Sequence, residues 1–184
     1  MERNRMGEIA LTAGLGFAAG ALLANPARKL AMQGAEAFMT RDWVEALTLE
    51  HRAVSKIFDM LLETDESEPG KRKAGLLSID HALTKHSLQE ELVIYPALRR
   101  IDEEQAQHLY HDHFEVKSFL SELQFDIEAN SPAWIVRLRE FKETIDQHIR
   151  EEENDIFPAF RDRMSEQENM LLTKHMHMQG VKVV

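Results

Sequence analysis

Apolar residues recur at alternating steps of three and four in four successive stretches of the chain. Val44, Leu47, Val54, Phe58 and Leu61 form the first run, and Leu76, Ile79, Leu83, Val93 and Ala97 the second. Ala106, Leu109, Val116, Leu120, Leu123 and Ile127 form the third, and Leu138, Phe141, Ile145, Ile156 and Ala159 the fourth. This spacing marks one face of a helix, and no alternating strand pattern competes with it. It predicts helices over about 42–62, 71–100, 103–129 and 132–164, with a shorter one over about 165–178. Asp42 with Glu45, Asp102 with Gln105, Ser131 before Pro132, and Ser165 with Glu168 supply the starts. The polar run from Glu63 to Gly70 ends the first helix, and Pro96 is expected to kink the second near its end. Short connections make neighbouring helices antiparallel. The expected fold is all-α: an up-down-up-down four-helix bundle with an N-terminal helical extension and a short C-terminal helix. The corresponding division is 1–41 for the extension, 42–164 for the bundle and 165–184 for the last helix and tail.

Six polar residues occupy positions on these apolar seams: His51 on the first helix, His86 and Glu90 on the second, His113 on the third, and His148 and Glu152 on the fourth. They belong to an internal duplication. Sliding the chain by 62 residues lays His86-x-x-x-Glu90-Glu91-x-x-Ile94-Tyr95-Pro96 on His148-x-x-x-Glu152-Glu153-x-x-Ile156-Phe157-Pro158, and His51 on His113. The apolar frame follows, with Val54 and Leu61 falling on Val116 and Leu123. A Glu four places after a His is turned by only about 40° and lies one turn above it, so both project the same way. Glu91 and Glu153 are turned by about 140° and are expected to be solvated or to support the ligands from outside.

Burying even one unpaired carboxylate costs several kcal/mol, and this pattern buries two among four imidazoles. A proton-sharing His/Glu cluster is one solution and a metal centre is the other. Residues of this type, one His from each of two helices and His-x-x-x-Glu from each of the other two, suit a pair of metals in a bundle core. His51, His86 and Glu90 would serve one ion and His113, His148 and Glu152 the other, with the assignment by halves left open. The chain has no cysteine, so thiolate sites, disulfides and thiol redox chemistry are excluded. Imidazole with carboxylate favours iron, manganese or zinc over magnesium or calcium. Three protein ligands per metal leave positions open for a reacting molecule.

With 22 Lys+Arg against 32 Asp+Glu the formal charge is −10, which argues against nucleic acid as a partner. The basic excess is confined to residues 1–41. Within them, Ile9 to Ala24 is uncharged and rich in Ala, Gly and Leu, with Gly16 and Gly20 four apart. At sixteen residues it falls short of the roughly 20 needed to span a membrane. Three readings stay open for it: packing or self-association, contact with a membrane surface, and a cleaved leader. Ala27 to Phe38 reads as a short connecting helix. A cytoplasmic location is expected, with membrane association through residues 9–24 as the alternative.

The six residues and their surroundings resemble the hemerythrin-like family, the HHE cation-binding domain, over about Asp42 to Met164. The resemblance implies a non-haem di-iron cofactor, two iron ions per chain with an oxo or hydroxo bridge. The implied small-molecule ligands are dioxygen, nitric oxide or peroxide. Two departures bear on function. Oxygen-carrying members have a further histidine where this chain has Leu109, and end with His followed five places later by Asp, whereas His148 and Glu152 are four apart. The resemblance therefore implies sensing, storage or detoxification of such a ligand, with a peroxidase or oxidase type of enzyme, or an iron-handling or iron–sulfur repair protein, as alternatives. His81, His108 and His111 fall off the seams and are expected in solvent, with His111 and Asp112 as candidates for a supporting shell. His175-Met176-His177-Met178 reads as a frayed helix end, Tyr95 and Phe157 as packing residues, and Tyr110 as a side chain able to approach the metals.

Overall fold

The structure, a computed structural model, describes residues 41–182. The expectations for Ile9 to Ala24 and Ala27 to Phe38 lie outside the described residues. Helix α1 spans Trp43–Leu62. Helix α2 runs as α-helix over Pro69–Gln89, widens into a π-helical turn over Glu90–Ile94 and resumes over Tyr95–Leu98. Helix α3 covers Glu103–Ser121 and closes in a π turn, Glu122–Asp126. Helix α4 runs over Pro132–Glu151, widens over Glu152–Ile156 and ends with Phe157–Arg161, and α5 spans Glu166–Val181. The first four helices form the all-α bundle, each packing on its neighbours in a ring that α1 and α4 close, while α5 lies on α1 and α2. No helix among the described residues is long and apolar enough to cross a membrane.

The starts follow the sequence. Asp42, Asp102 and Ser131 each accept a backbone N–H of their helix's first turn, and Ser165 with Glu168 completes a reciprocal capping box. The apolar seams meet in a core that holds Phe58, Leu76, Ile79, Val116, Trp134, Leu138 and Phe141, with Phe58 edge-on to Phe141 at 4.9 Å between ring centres.

Two prolines correct the expected register. Pro96 and Pro158 have no N–H, and each ring would press on the carbonyl four residues back. The helix widens just before each proline instead of simply bending. The Tyr95 N–H reaches the Glu90 carbonyl and the Phe157 N–H reaches that of Glu152, five residues back in each case. A π turn takes up one extra residue, so the buried face moves on by one. Ala97 and Ala159, expected inside, are half-buried and exposed, while Leu98 and Phe160 are buried. The same shift turns Tyr95 and Phe157 fully inward.

Helix α5 is better anchored than its sequence suggests. The Trp43 indole donates to Asn169 Oδ1 at 2.8 Å, and the Trp43 N–H to the Thr173 hydroxyl at 3.2 Å. Met176 and His177 are buried, with His177 Nε2 2.9 Å from the Arg41 carbonyl, and the helix continues to Val181 instead of fraying at Met178. Gly180 permits this approach, because a Cβ there would lie 2.8 Å from Gln89 Nε2.

At the far end of the bundle a buried guanidinium ties two connections together. Arg72 donates to the carbonyls of Ala129 (2.9 Å) and Thr64 (3.0 Å) and lies over the Trp134 ring at 5.2 Å. Replacing it with Ala leaves buried carbonyls without donors. Arg72→Ala should therefore cost roughly 2–4 kcal/mol in urea unfolding. Metal content should not change, because His86 is ~20 Å away along α2.

Candidate metal centre

His86 and Glu90 lie one turn apart on α2, and the Glu90 N–H still reaches the His86 carbonyl. The helix thus keeps α geometry up to the carboxylate and widens only beyond it. His148 and Glu152 repeat this on α4. His51 and His113 face them from the middle of α1 and α3. All six side chains converge and all are buried, Glu90 and Glu152 at 0% exposure.

Ligand-type atoms meet at short range in two overlapping groups: His51, His86, Glu90 and Glu152, and Glu90, His113 and His148. Glu90 Oε2 lies 3.1 Å from His86 Nε2 and 3.2 Å from His113 Nε2. Glu152 Oε2 lies 3.4 Å from both His148 Nε2 and His51 Nε2. Each carboxylate therefore touches an imidazole of its own half and one of the other. The halves do not separate into two independent triads.

Every Nδ1 points outward to a carboxylate. His51 donates to Glu153 (2.8 Å), His113 to Glu91 (2.9 Å), His86 to Glu50 (3.2 Å) and His148 to Asp112 (3.2 Å). These bonds hold each ring with Nε2 toward the centre and make that nitrogen a better donor to a cation. The four carboxylates obey the 62-residue repeat, Glu50 with Asp112 and Glu91 with Glu153. Glu91 and Glu153 turn away from their own His-x-x-x-Glu face and hold an imidazole from the opposite half. Glu50 escaped the sequence reading, although its place beside His51, matching Asp112 beside His113, was the signal for it.

Against the inner face of the cluster the repeat is broken at Tyr95. Tyr95, expected only to pack, puts its hydroxyl 2.8 Å from Glu152 Oε1, 2.9 Å from His113 Nε2 and 3.3 Å from Glu90 Oε2. Its counterpart Phe157 has no hydroxyl and packs edge-on against Trp43 at 5.0 Å. Tyr110 does not reach the cluster; its hydroxyl donates to the Glu91 carbonyl and its ring meets Tyr95. His81, His108 and His111 are exposed.

Charge and hydrogen bonding mark the cluster as built for a cation. Burial alone would push Glu90 up, but His86 and His113 outweigh it and hold the carboxyl well below its usual range. Burial would likewise lower His86, yet Glu90 and Glu50 raise it well above 6.5. Tyr95 is pushed up by burial and by the two carboxylates, so its hydroxyl stays protonated and donates. Three inward atoms have no hydrogen-bond partner: Glu90 Oε1, His148 Nε2 and Glu152 Oε2. Buried acceptors of this kind are costly unless something positive or protic fills the space between them. The donor set, imidazole and carboxylate oxygen, fits first-row divalent metals.

A cavity of about 240 Å³ reaches the cluster from the side of the imidazoles. His51, His86, His113 and His148 all line it, together with Val54, Ala82, Leu83, Val116 and Ile145, and Glu50, His81 and Lys85 border it as well. Tyr95, Glu90 and Glu152 are not on its wall.

Residues 42–160 match the family model described as hemerythrin HHE cation binding domain. Among curated proteins, the chain is 27% identical over 125 residues to a DNA nickase of Nostoc sp., covering 67% of this chain and 35% of that protein. It is also 27% identical over 130 residues to an uncharacterized hemerythrin-like protein of Schizosaccharomyces pombe, covering 68% and 63%. The chain thus spans about a third and just under two thirds of these relatives' lengths. No solved structure matches it.

In the metal-free protein His113 rises from 6.5 to about 9, because Glu90 and Glu91 more than offset the lowering effect of burial. A raised pKa stabilises the fold fully below the unfolded value, and that contribution is lost as pH climbs through the folded value. The urea midpoint of metal-stripped protein should therefore fall between pH 6.5 and about 9. Glu91→Gln should shrink that fall, and a flat profile in the parent protein would contradict the assignment.

Proposed function

Since the chain belongs to the hemerythrin HHE cation-binding domain family, we propose that His51, His86, Glu90, His113, His148 and Glu152 hold two iron ions as a non-haem di-iron centre. The centre takes a small ligand, dioxygen, nitric oxide or peroxide, for sensing, storage or detoxification. The observation that carries this reading is the convergence of six buried ligand-type side chains on orphaned inward atoms, beside a cavity whose wall contains all four imidazoles. Glu90 and Glu152, each reaching an imidazole of both halves, would hold the ions together with the four histidines. When bound, iron supplies Lewis acidity and accessible redox states.

The chain's own residues do the rest. The outward carboxylates fix the imidazole orientation, and Val54, Leu83, Val116 and Ile145 keep the approach apolar and limit bulk water. Off the cavity wall, the Tyr95 hydroxyl donates to Glu152 Oε1 at 2.8 Å, with Glu90 Oε2 at 3.3 Å, and holds a proton beside the two carboxylates. An uncharged diatomic or peroxide meets little cost on such a path, whereas an anion loses its hydration. Nucleic-acid cleavage, suggested by the Nostoc relative's name, is disfavoured by the net charge of −10.

Anaerobically reduced, iron-loaded protein should change its visible absorption on exposure to oxygen, nitric oxide or hydrogen peroxide. A band that reverses on removing the ligand marks binding, and steady peroxide consumption marks catalysis. Iron-loaded protein that is unresponsive to all three would contradict the reading. Ala82→Phe intrudes on the cavity without touching the six residues. It should leave iron content unchanged and slow the appearance of the ligand band.

A further inference from the structure

A third cluster of ligand-type side chains lies outside the buried centre. His108 and Asp112 are four apart on α3, the His-x-x-x-carboxylate spacing of the inner site, and Glu151 faces them from α4. His108 Nε2 is 2.9 Å from Glu151 Oε2 and 3.6 Å from Asp112 Oδ2, and one ligand atom from each residue falls within 4.8 Å of the others. Gln147 Nε2 donates to the other Glu151 oxygen at 2.9 Å, which orients that carboxylate. The Asp112 oxygen that faces His108 is the one that accepts from His148 Nδ1.

The internal repeat shows that the bundle does not demand this cluster. Shifted back by 62 residues, His108, Asp112 and Glu151 fall on Ala46, Glu50 and Gln89. Glu50 does for His86 what Asp112 does for His148. The other two positions differ, because α5 covers that half: Ala46 and Gln89 are buried, with Gln89 Nε2 against Met176 of α5. The matching face of α3 and α4 carries an imidazole and a second carboxylate, and His108 there is half exposed.

We propose that His108, Asp112 and Glu151 form a surface site for one first-row divalent cation, coupled through Asp112 to the buried centre. One imidazole and two carboxylates are a donor set for ions such as zinc, manganese or iron(II), and solvent access leaves positions for water. The ion, Asp112 and His148 then form a continuous chain from the surface to the inner cluster, so the outer site is where an arriving cation first meets protein ligands. This placement rests on the inner cluster being a metal centre; binding at the outer site does not.

The test is a zinc titration of the full chain, read by calorimetry and by metal content after gel filtration in low-affinity buffer. His108→Ala, the double variant His108→Ala/Glu151→Gln, and His111→Ala as a surface control are compared with the parent. Asp112 is left in place because it holds His148. The expected result is one zinc per chain fewer in the single and double variants than in the parent and the His111→Ala control, with slower filling of the remaining sites. Equal zinc content and equal filling rate in all four proteins would overturn the proposal and reduce the cluster to a surface ion pair. Zinc retained by the double variant reports the inner cluster alone, so failure there is distinguishable from failure of the outer site.

Discussion

Two carboxylates with no solvent exposure, Glu90 and Glu152, set the terms on which this bundle folds. Unpaired, each would cost several kcal/mol, and among the described residues their ion pairs are with histidines, none with a lysine or arginine. The positive charge must come from protonated imidazoles or from cations. The directions of the shifts at Glu90, His86 and His113 describe the first state, in which protons occupy the place of a metal. Such a cluster releases protons when a cation enters, and so couples metal affinity to pH and to folding. The ring of outer carboxylates from Glu50, Glu91, Asp112 and Glu153 leaves the imidazoles little freedom to turn away.

The duplicated hairpin supplies this cluster with approximate two-fold symmetry, and the departures from it give the halves different surroundings. Tyr95 brings a hydroxyl to the side shared by His113, Glu90 and Glu152, whereas Phe157 offers only a ring to the other. Helix α5 buries the outer face of α1 and α2, whereas on the equivalent face of α3 and α4 His108 is exposed. Ions held here would sit in unlike surroundings.

Much of this was legible in the sequence. The three-four spacing places His51, His86, Glu90, His113, His148 and Glu152 on the seams, and up to the two glutamates the α-helical count holds. Beyond Glu90 and Glu152 it fails, because Pro96 and Pro158 force a π turn that periodicity cannot register. For that reason an unbroken α-helical count puts Ala97 and Ala159 inside and leaves Tyr95 a packing residue, whereas the widened helix turns Tyr95 into the cluster. The partners of Glu91 and Glu153 were hidden for another reason: each binds a histidine of the opposite half, a contact fixed only once four helices close into a ring. Trp43 and the tail of α5 depend on packing between the two ends of the described chain, to which no local pattern points.

A two-metal centre in the buried His/Glu cluster has a countable metal content. Its most direct test is the iron content of anaerobically reconstituted protein, the parent beside Glu90→Ala/Glu152→Ala, with circular dichroism confirming that both are helical. About two iron ions per chain are expected in the parent, with both lost together in the variant. No bound metal in the reconstituted parent, or unchanged content in the variant, would contradict it.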